Sequence, residues 1–109
     1  MANILIGQLL HQSAGDSSSI RCGEIAGATS ATVLPTVDGG LVTFKAAAAN
    51  AGAVYLGGAG VTKVDATTDT TTGIQLMAGD SIQVVVTNLN VFYRICDNTT
   101  DALTYLVLG

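Results

Sequence analysis

An all-β fold is predicted for this chain: an antiparallel β-sandwich, jelly-roll-like, of roughly eight short strands. Runs of β-branched and aromatic residues recur between turn signals at a spacing of about 8–12 residues, the pattern of sandwiches and small barrels. No stretch sustains the periodicity of an amphipathic helix. The 109 residues suit one domain, residues 1–109, with 1–19 read as an N-terminal arm plus a polar loop. Apolar residues make up 49% of the chain, yet aromatics are only 5% and Trp is absent. The core is therefore expected to be assembled from small aliphatic side chains.

Residues 73–95 carry the clearest pattern. Ala78-Gly79-Asp80 reverses the chain, and residues 81–87 then alternate, with Ile82, Val84 and Val86 on one face and Ser81, Gln83, Val85 and Thr87 on the other. Asn88-Leu89-Asn90 is a compact turn of residue types that tolerate left-handed backbone, and residues 91–96 (V-F-Y-R-I-C) return as a strand.

From the beginning, residues 4–10 (I-L-I-G-Q-L-L) form a strand or a helical turn, with Gly7 weighing against helix. Residues 11–19 are a polar loop. Residues 20–25 read as a strand in which Ile20, Cys22 and Glu24 alternate with Arg21, Gly23 and Ile25. A β-rich run at 29–34 ends at Pro35, the single proline; lacking an N–H, proline confines that run to an edge or terminates it. Asp38-Gly39-Gly40 reads as a turn. Residues 41–47 place Val42, Phe44 and Ala46 on one face and Thr43 and Lys45 on the other. Residues 48–52 are a loop with at most one helical turn, because so short a helix is marginal alone. Residues 53–56 form a strand closed by Gly57-Gly58-Ala59-Gly60.

The Thr/Asp-rich portion of 61–73 is expected to be an exposed loop, and residues 74–76 to re-enter the core. After a polar turn at 97–101, residues 102–108 alternate Leu103, Tyr105 and Val107 with Thr104, Leu106 and Leu108. Apolar residues on both faces make this last strand central between layers, or one that buries a face against a partner chain. Short connections suggest that the last three strands form a meander.

Charged residues are 11% of the chain, against about 25% in ordinary domains. Either much of the surface is occupied by sister subunits or a larger assembly, or it is a neutral Thr/Ser/Gly surface. The net charge is −4, and Arg21, Lys45, Lys63 and Arg94 are the only Lys or Arg residues. No basic patch exists to hold nucleic acid or an anionic membrane. No apolar run approaches the roughly 20 residues of a membrane span. The first residues lack the positive region of a signal peptide, so the chain is expected to be made and kept in a cytoplasm until assembly. In that setting Cys22 and Cys96 are expected as two free, buried thiols, with a disulfide as the alternative.

Catalytic chemistry finds little footing. Gly57-Gly58-Ala59-Gly60-Val61-Thr62-Lys63 lacks the adjacent Gly-Lys and the following helix of a phosphate loop, and is expected instead to be a strand end where backbones pass closely. The single His, His11, has no orienting carboxylate nearby to make a base for Cys22 or Cys96. Asp65 and Asp69 lack the spacing and closing Glu of a calcium loop. They, with Asp80, Asp97 and Asp101, read as solvated turn acids. Tyr55, Tyr93 and Tyr105 are expected to pack on the sheets with their hydroxyls at the rim. No catalytic, cofactor-binding or metal site is expected, and the chain is not read as an enzyme. The candidate interface is the apolar set Ile4, Leu5, Ile6, Leu9 and Leu10, either a first strand of the sandwich or an arm that docks on another subunit.

Three stretches carry a family likeness: G-A-V-Y-L-G-G-A-G-V-T (52–62), G-I-Q-L-M-A-G-D-S-I (73–82) and N-L-N-V-F-Y (88–93). Together they resemble small tailed-phage virion proteins of the capsid-decoration (cement) or head-associated type, over the chain from Leu41 onward. The resemblance implies a structural protein on the capsid surface of a virion. Its expected partners are the major capsid protein or other virion subunits, and it would stabilise the head by bridging capsid subunits. A closed homotrimer is the expected state, because threefold capsid sites suit cyclic oligomers. Similar modules occur in phage fibre-associated proteins, which leaves a host-recognition module as the alternative.

Overall fold

A computed structural model of the protein describes residues 20–63 and 72–109. These residues form eight strands: β1 (Arg21–Ala26), β2 (Thr32–Val33), β3 (Asp38–Ala46), β4 (Val54–Gly57), β5 (Ile74–Leu76), β6 (Ser81–Asn88), β7 (Tyr93–Cys96) and β8 (Ala102–Leu108). Two antiparallel four-stranded sheets result, β1-β8-β3-β6 and β2-β7-β4-β5. We call them sheet A and sheet B. The hydrogen-bonded pairs include β1 with β8, β2 with β7, β3 with β6 and β4 with β5. The chain is thus one long hairpin whose four strand pairs alternate between two packed layers, which is the jelly roll.

Alternation along the strands builds the core. Val42, Phe44 and Ala46 of β3 face inward and are fully buried, as are Leu103 and Val107 of β8. Across the layer Val54, Leu56, Leu76 and Cys96 from sheet B meet them, with Leu34 and Leu89 closing the ends. Phe44 meets Phe92 edge to face, with ring centroids 5.4 Å apart.

The meander expected for the last three strands is not present, because β6 and β8 lie in sheet A and β7 in sheet B. Short connections here cross the roughly 10 Å between layers rather than the spacing between neighbouring strands. The first crossing is a 3-10 turn, Leu89–Val91. Asn88 caps it by accepting from the Asn90 N–H (3.1 Å) and also accepts from the Val37 N–H (3.2 Å). Leu89 fills the corner, fully buried. The left-handed backbone allowed for at 88–90 is not used, since among the described residues only glycines have positive φ.

Asp38, Gly39 and Gly40 are also not a turn; they open β3. A Cβ on Gly39 would strike the Val86 carbonyl, and one on Gly40 the Leu108 carbonyl. The two glycines let the backbones on either side of the central strand close in. The turn before β6 is as expected: the Asp80 N–H donates to the Met77 carbonyl (2.8 Å), and Gly79 supplies the positive φ of 84° that a type II turn needs. Pro35 lies just past β2, which is an edge strand. Of residues 74–76 only Leu76 reaches the core, while Ile74 is exposed.

Candidate interaction surface

The outward face of sheet A is the most organised exposed surface among the described residues. Register lays its side chains out in rows across the strands. One row runs Leu108–Leu41–Val85, and Ile20, the residue before β1, extends it past Arg21, which pairs with Val107. The second row is Cys22–Leu106–Thr43–Gln83 and the third Glu24–Thr104–Lys45–Ser81. The face therefore grades from wholly apolar to charged over about 14 Å of strand. Ile20 is 55% exposed, Val85 59% and Leu106 43%. The last strand is apolar on its outward side at Leu106 and Leu108, while Thr104 stands in the charged row. β8 is central within sheet A rather than between layers, since Leu106 is exposed and no described strand packs over it.

Sheet B covers its own outer face. After β4 the chain turns back, with the Val61 N–H donating to the Gly58 carbonyl (3.0 Å), and Val61 packs over Tyr55 and Ala53 beside Tyr93 and Ile95. Tyr55 is accordingly buried under this flap rather than set with its hydroxyl at the rim, and that hydroxyl accepts from Gln75 Nε2 (3.2 Å). Tyr105 faces inward over Gly23, where a Cβ would press on its ring. The glycine run is a close-packed strand end only at Gly57; Cβ atoms on Gly58 or Gly60 would meet nothing within 4 Å. Lys63 folds back, its ammonium 3.4 Å from the Cys96 carbonyl. Where the described chain resumes, the Thr72 N–H donates to Thr62 Oγ1 (3.1 Å) and the Thr72 hydroxyl to the Gly60 carbonyl (2.8 Å).

The turn acids divide. Asp80 accepts from the Met77 N–H (3.0 Å) and Asp97 from the Ala53 N–H (2.9 Å), both as exposed turn residues. Asp101 departs from the solvated role expected of it. It is 1% exposed and its carboxylate accepts four hydrogen bonds, two at each oxygen. The sequence signal was Asn98 three residues before it, the spacing at which an Asp closes a local turn. No group of three or more His, Cys, Asp or Glu residues is placed to hold a metal among the described residues. His11, Asp65, Asp69 and the interface candidates Ile4, Leu5, Ile6, Leu9 and Leu10 lie outside the described residues.

Both described cysteines are free, but only Cys96 is buried; Cys22 is exposed, because its place in β1 points it outward beside Leu106. Burial pushes the Cys96 thiol above its ordinary range, against a backbone hydrogen bond with Ala28 and the nearby charge of Arg94. The folded state therefore keeps this proton to higher pH than the unfolded chain does. Its contribution to stability is complete below the unfolded thiol's pKa, about 8.5, and declines as pH rises beyond it. Iodoacetamide at pH 8 is expected to label Cys22 alone in the native protein and both thiols in denaturant; mass spectrometry reads the one or two additions.

No family model matches the chain, and comparison with curated proteins and with solved structures finds no match.

Proposed function

We propose that the chain is a structural protein of a tailed-phage virion, a decoration or cement protein that binds the assembled head and bridges its capsid subunits. The observation that carries the reading is the outward face of sheet A, whose wholly apolar row stands on a chain of only 11% charged residues. Such a face suits a protein that spends its working life against other subunits. The likeness in residues 52–62, 73–82 and 88–93 supports the same reading, and so, by fold analogy alone, does the recurrence of jelly rolls in viral capsids.

The action would be mechanical. The apolar row and the segment holding Ile4, Leu5, Ile6, Leu9 and Leu10 would contact neighbouring shell subunits, and each bridge would raise the barrier to rupture. Purified protein is expected to bind, at micromolar concentration, particles assembled without it and to raise the temperature at which they release their contents. Failure to bind overturns the reading. Deleting residues 66–72 separates it from the host-recognition alternative: a cement protein keeps shell binding, whereas a receptor-binding module loses adhesion to cells.

A further inference from the structure

The four edge strands of the two sheets are unequal. β2 has two residues and β5 three, too short to template another strand. β1 carries Arg21, Glu24 and Gly23. β6 is eight residues long, S-I-Q-V-V-V-T-N, with no charge, proline or glycine. Among the described residues only β3 pairs with it. Sheet proteins normally blunt long edges with charge, proline or brevity, and β6 uses none of these. The sandwich is also open along it: Ile82, Val84 and Val86 point inward but are only half-buried, whereas Val42, Phe44 and Ala46 on the adjacent strand are wholly buried.

We propose that β6 pairs with β6 of a second copy of this chain, antiparallel about a twofold axis through Val85. The backbone sets the geometry. The Ala46 N–H donates to the Asp80 carbonyl (2.9 Å) and the Ala47 N–H to the Ala102 carbonyl (3.0 Å). Antiparallel ladders alternate, so the even-numbered residues of β3 bond toward β6 and the odd-numbered ones toward β8. The β6 partners of those even residues are Ile82, Val84 and Val86. The N–H and C=O groups of Ser81, Gln83, Val85 and Thr87 consequently point away from the sheet, available to another strand.

An axis through Val85 sets Val85 against the same residue of the second copy and Gln83 against Thr87. Like then meets like, and the row Leu108–Leu41–Val85 runs unbroken into the row of the second copy. An axis at Val84 would instead oppose Val85 to Gln83 and break the row. Continuity of the row is what selects a second copy, in this register, as the occupant. A strand pairs with its identical copy only about a twofold axis, so this contact replaces the closed trimer expected from capsid symmetry. It does not depend on shell binding.

Light scattering on the full chain, run through a sizing column at micromolar concentration, is expected to give twice the 11.0 kDa of one chain. Val85→Lys, which places two ammonium groups at the axis, is expected to give the single-chain mass with an unchanged circular dichroism spectrum. A second pair of variants reads the register without relying on a disrupted edge. In a Cys22→Ser background, Val85→Cys is expected to form a chain-to-chain disulfide on mild oxidation, since facing residues about 5.5 Å apart are within disulfide reach. Thr43→Cys, one strand inward on the same face, is not. A monomeric or trimeric wild-type mass, a Val85→Lys variant that stays dimeric, or a Val85→Cys variant that does not cross-link overturns the proposal.

Discussion

Replacing Phe44 with Ala is expected to lower the unfolding free energy by about 3–5 kcal/mol, the range for truncating a buried aromatic. Phe44 is fully buried on the central strand β3, between β8 and β6, and its ring meets Phe92 from the opposite layer. The edge-to-face pair contributes about 0.5–1.5 kcal/mol beyond area burial. Neighbouring aliphatic side chains are too short to refill the space, in a chain with two Phe and no Trp. Urea denaturation followed by circular dichroism reads the loss as a lower midpoint at unchanged slope. Met77→Ala, at an exposed turn position, is the control, expected to change stability by no more than about 0.5 kcal/mol.

Asp101→Ala is expected to cost about 2–3 kcal/mol, since it removes a buried carboxylate that accepts four part-buried, charge-assisted hydrogen bonds. Its Oδ1 accepts from the backbone N–H groups of Ala51 (3.0 Å) and Gly52 (3.3 Å). Its Oδ2 accepts from the Asn98 N–H (3.1 Å) and side-chain amide (3.2 Å). The carboxylate thus ties the turn entering β4 to the turn entering β8. Asn50 reinforces this by donating to the Ala102 carbonyl (2.9 Å) and accepting from the Ala102 N–H (2.8 Å), as a paired strand would. Asp101→Asn keeps the shape but turns one acceptor into a donor facing donors, so it is expected to fall between wild type and Asp101→Ala in the same urea titration. An Asp101→Asn variant as stable as wild type would show that the acceptor set does not hold these turns.

Period-two alternation made the inward faces legible. Val42, Phe44 and Ala46, the Ile82/Val84/Val86 set and the Leu103/Tyr105/Val107 set were each assigned to one face from sequence, and each shares a face in the structure. The missing N–H of Pro35 allowed an edge strand or a strand that stops there, and β2 is both, an edge strand that ends at Val33. What alternation does not encode is which sheet a strand joins. A short connection looks the same whether it turns beside its neighbour or crosses between layers, and only the buried Leu89 marks the crossing after β6. Glycine was read as a turn former at Gly39 and Gly40, where its use is to admit two neighbouring backbones. Asp101 looked like the other turn acids because burial is a tertiary property.

The outward face shows the same division. That β8 is apolar on both sides was visible in the chain. That Leu108, Leu41 and Val85 line up depends on register across strands distant in sequence. Cys22, assigned to the interior as a small apolar residue, stands instead on this outward face.

Under the proposed virion role, electron cryomicroscopy of phage particles containing this chain is expected to show its jelly roll at regularly repeated positions on the head, with the outward face of sheet A against other subunits. Density for the chain at the tail tip, or that face turned to solvent at every position, would contradict it.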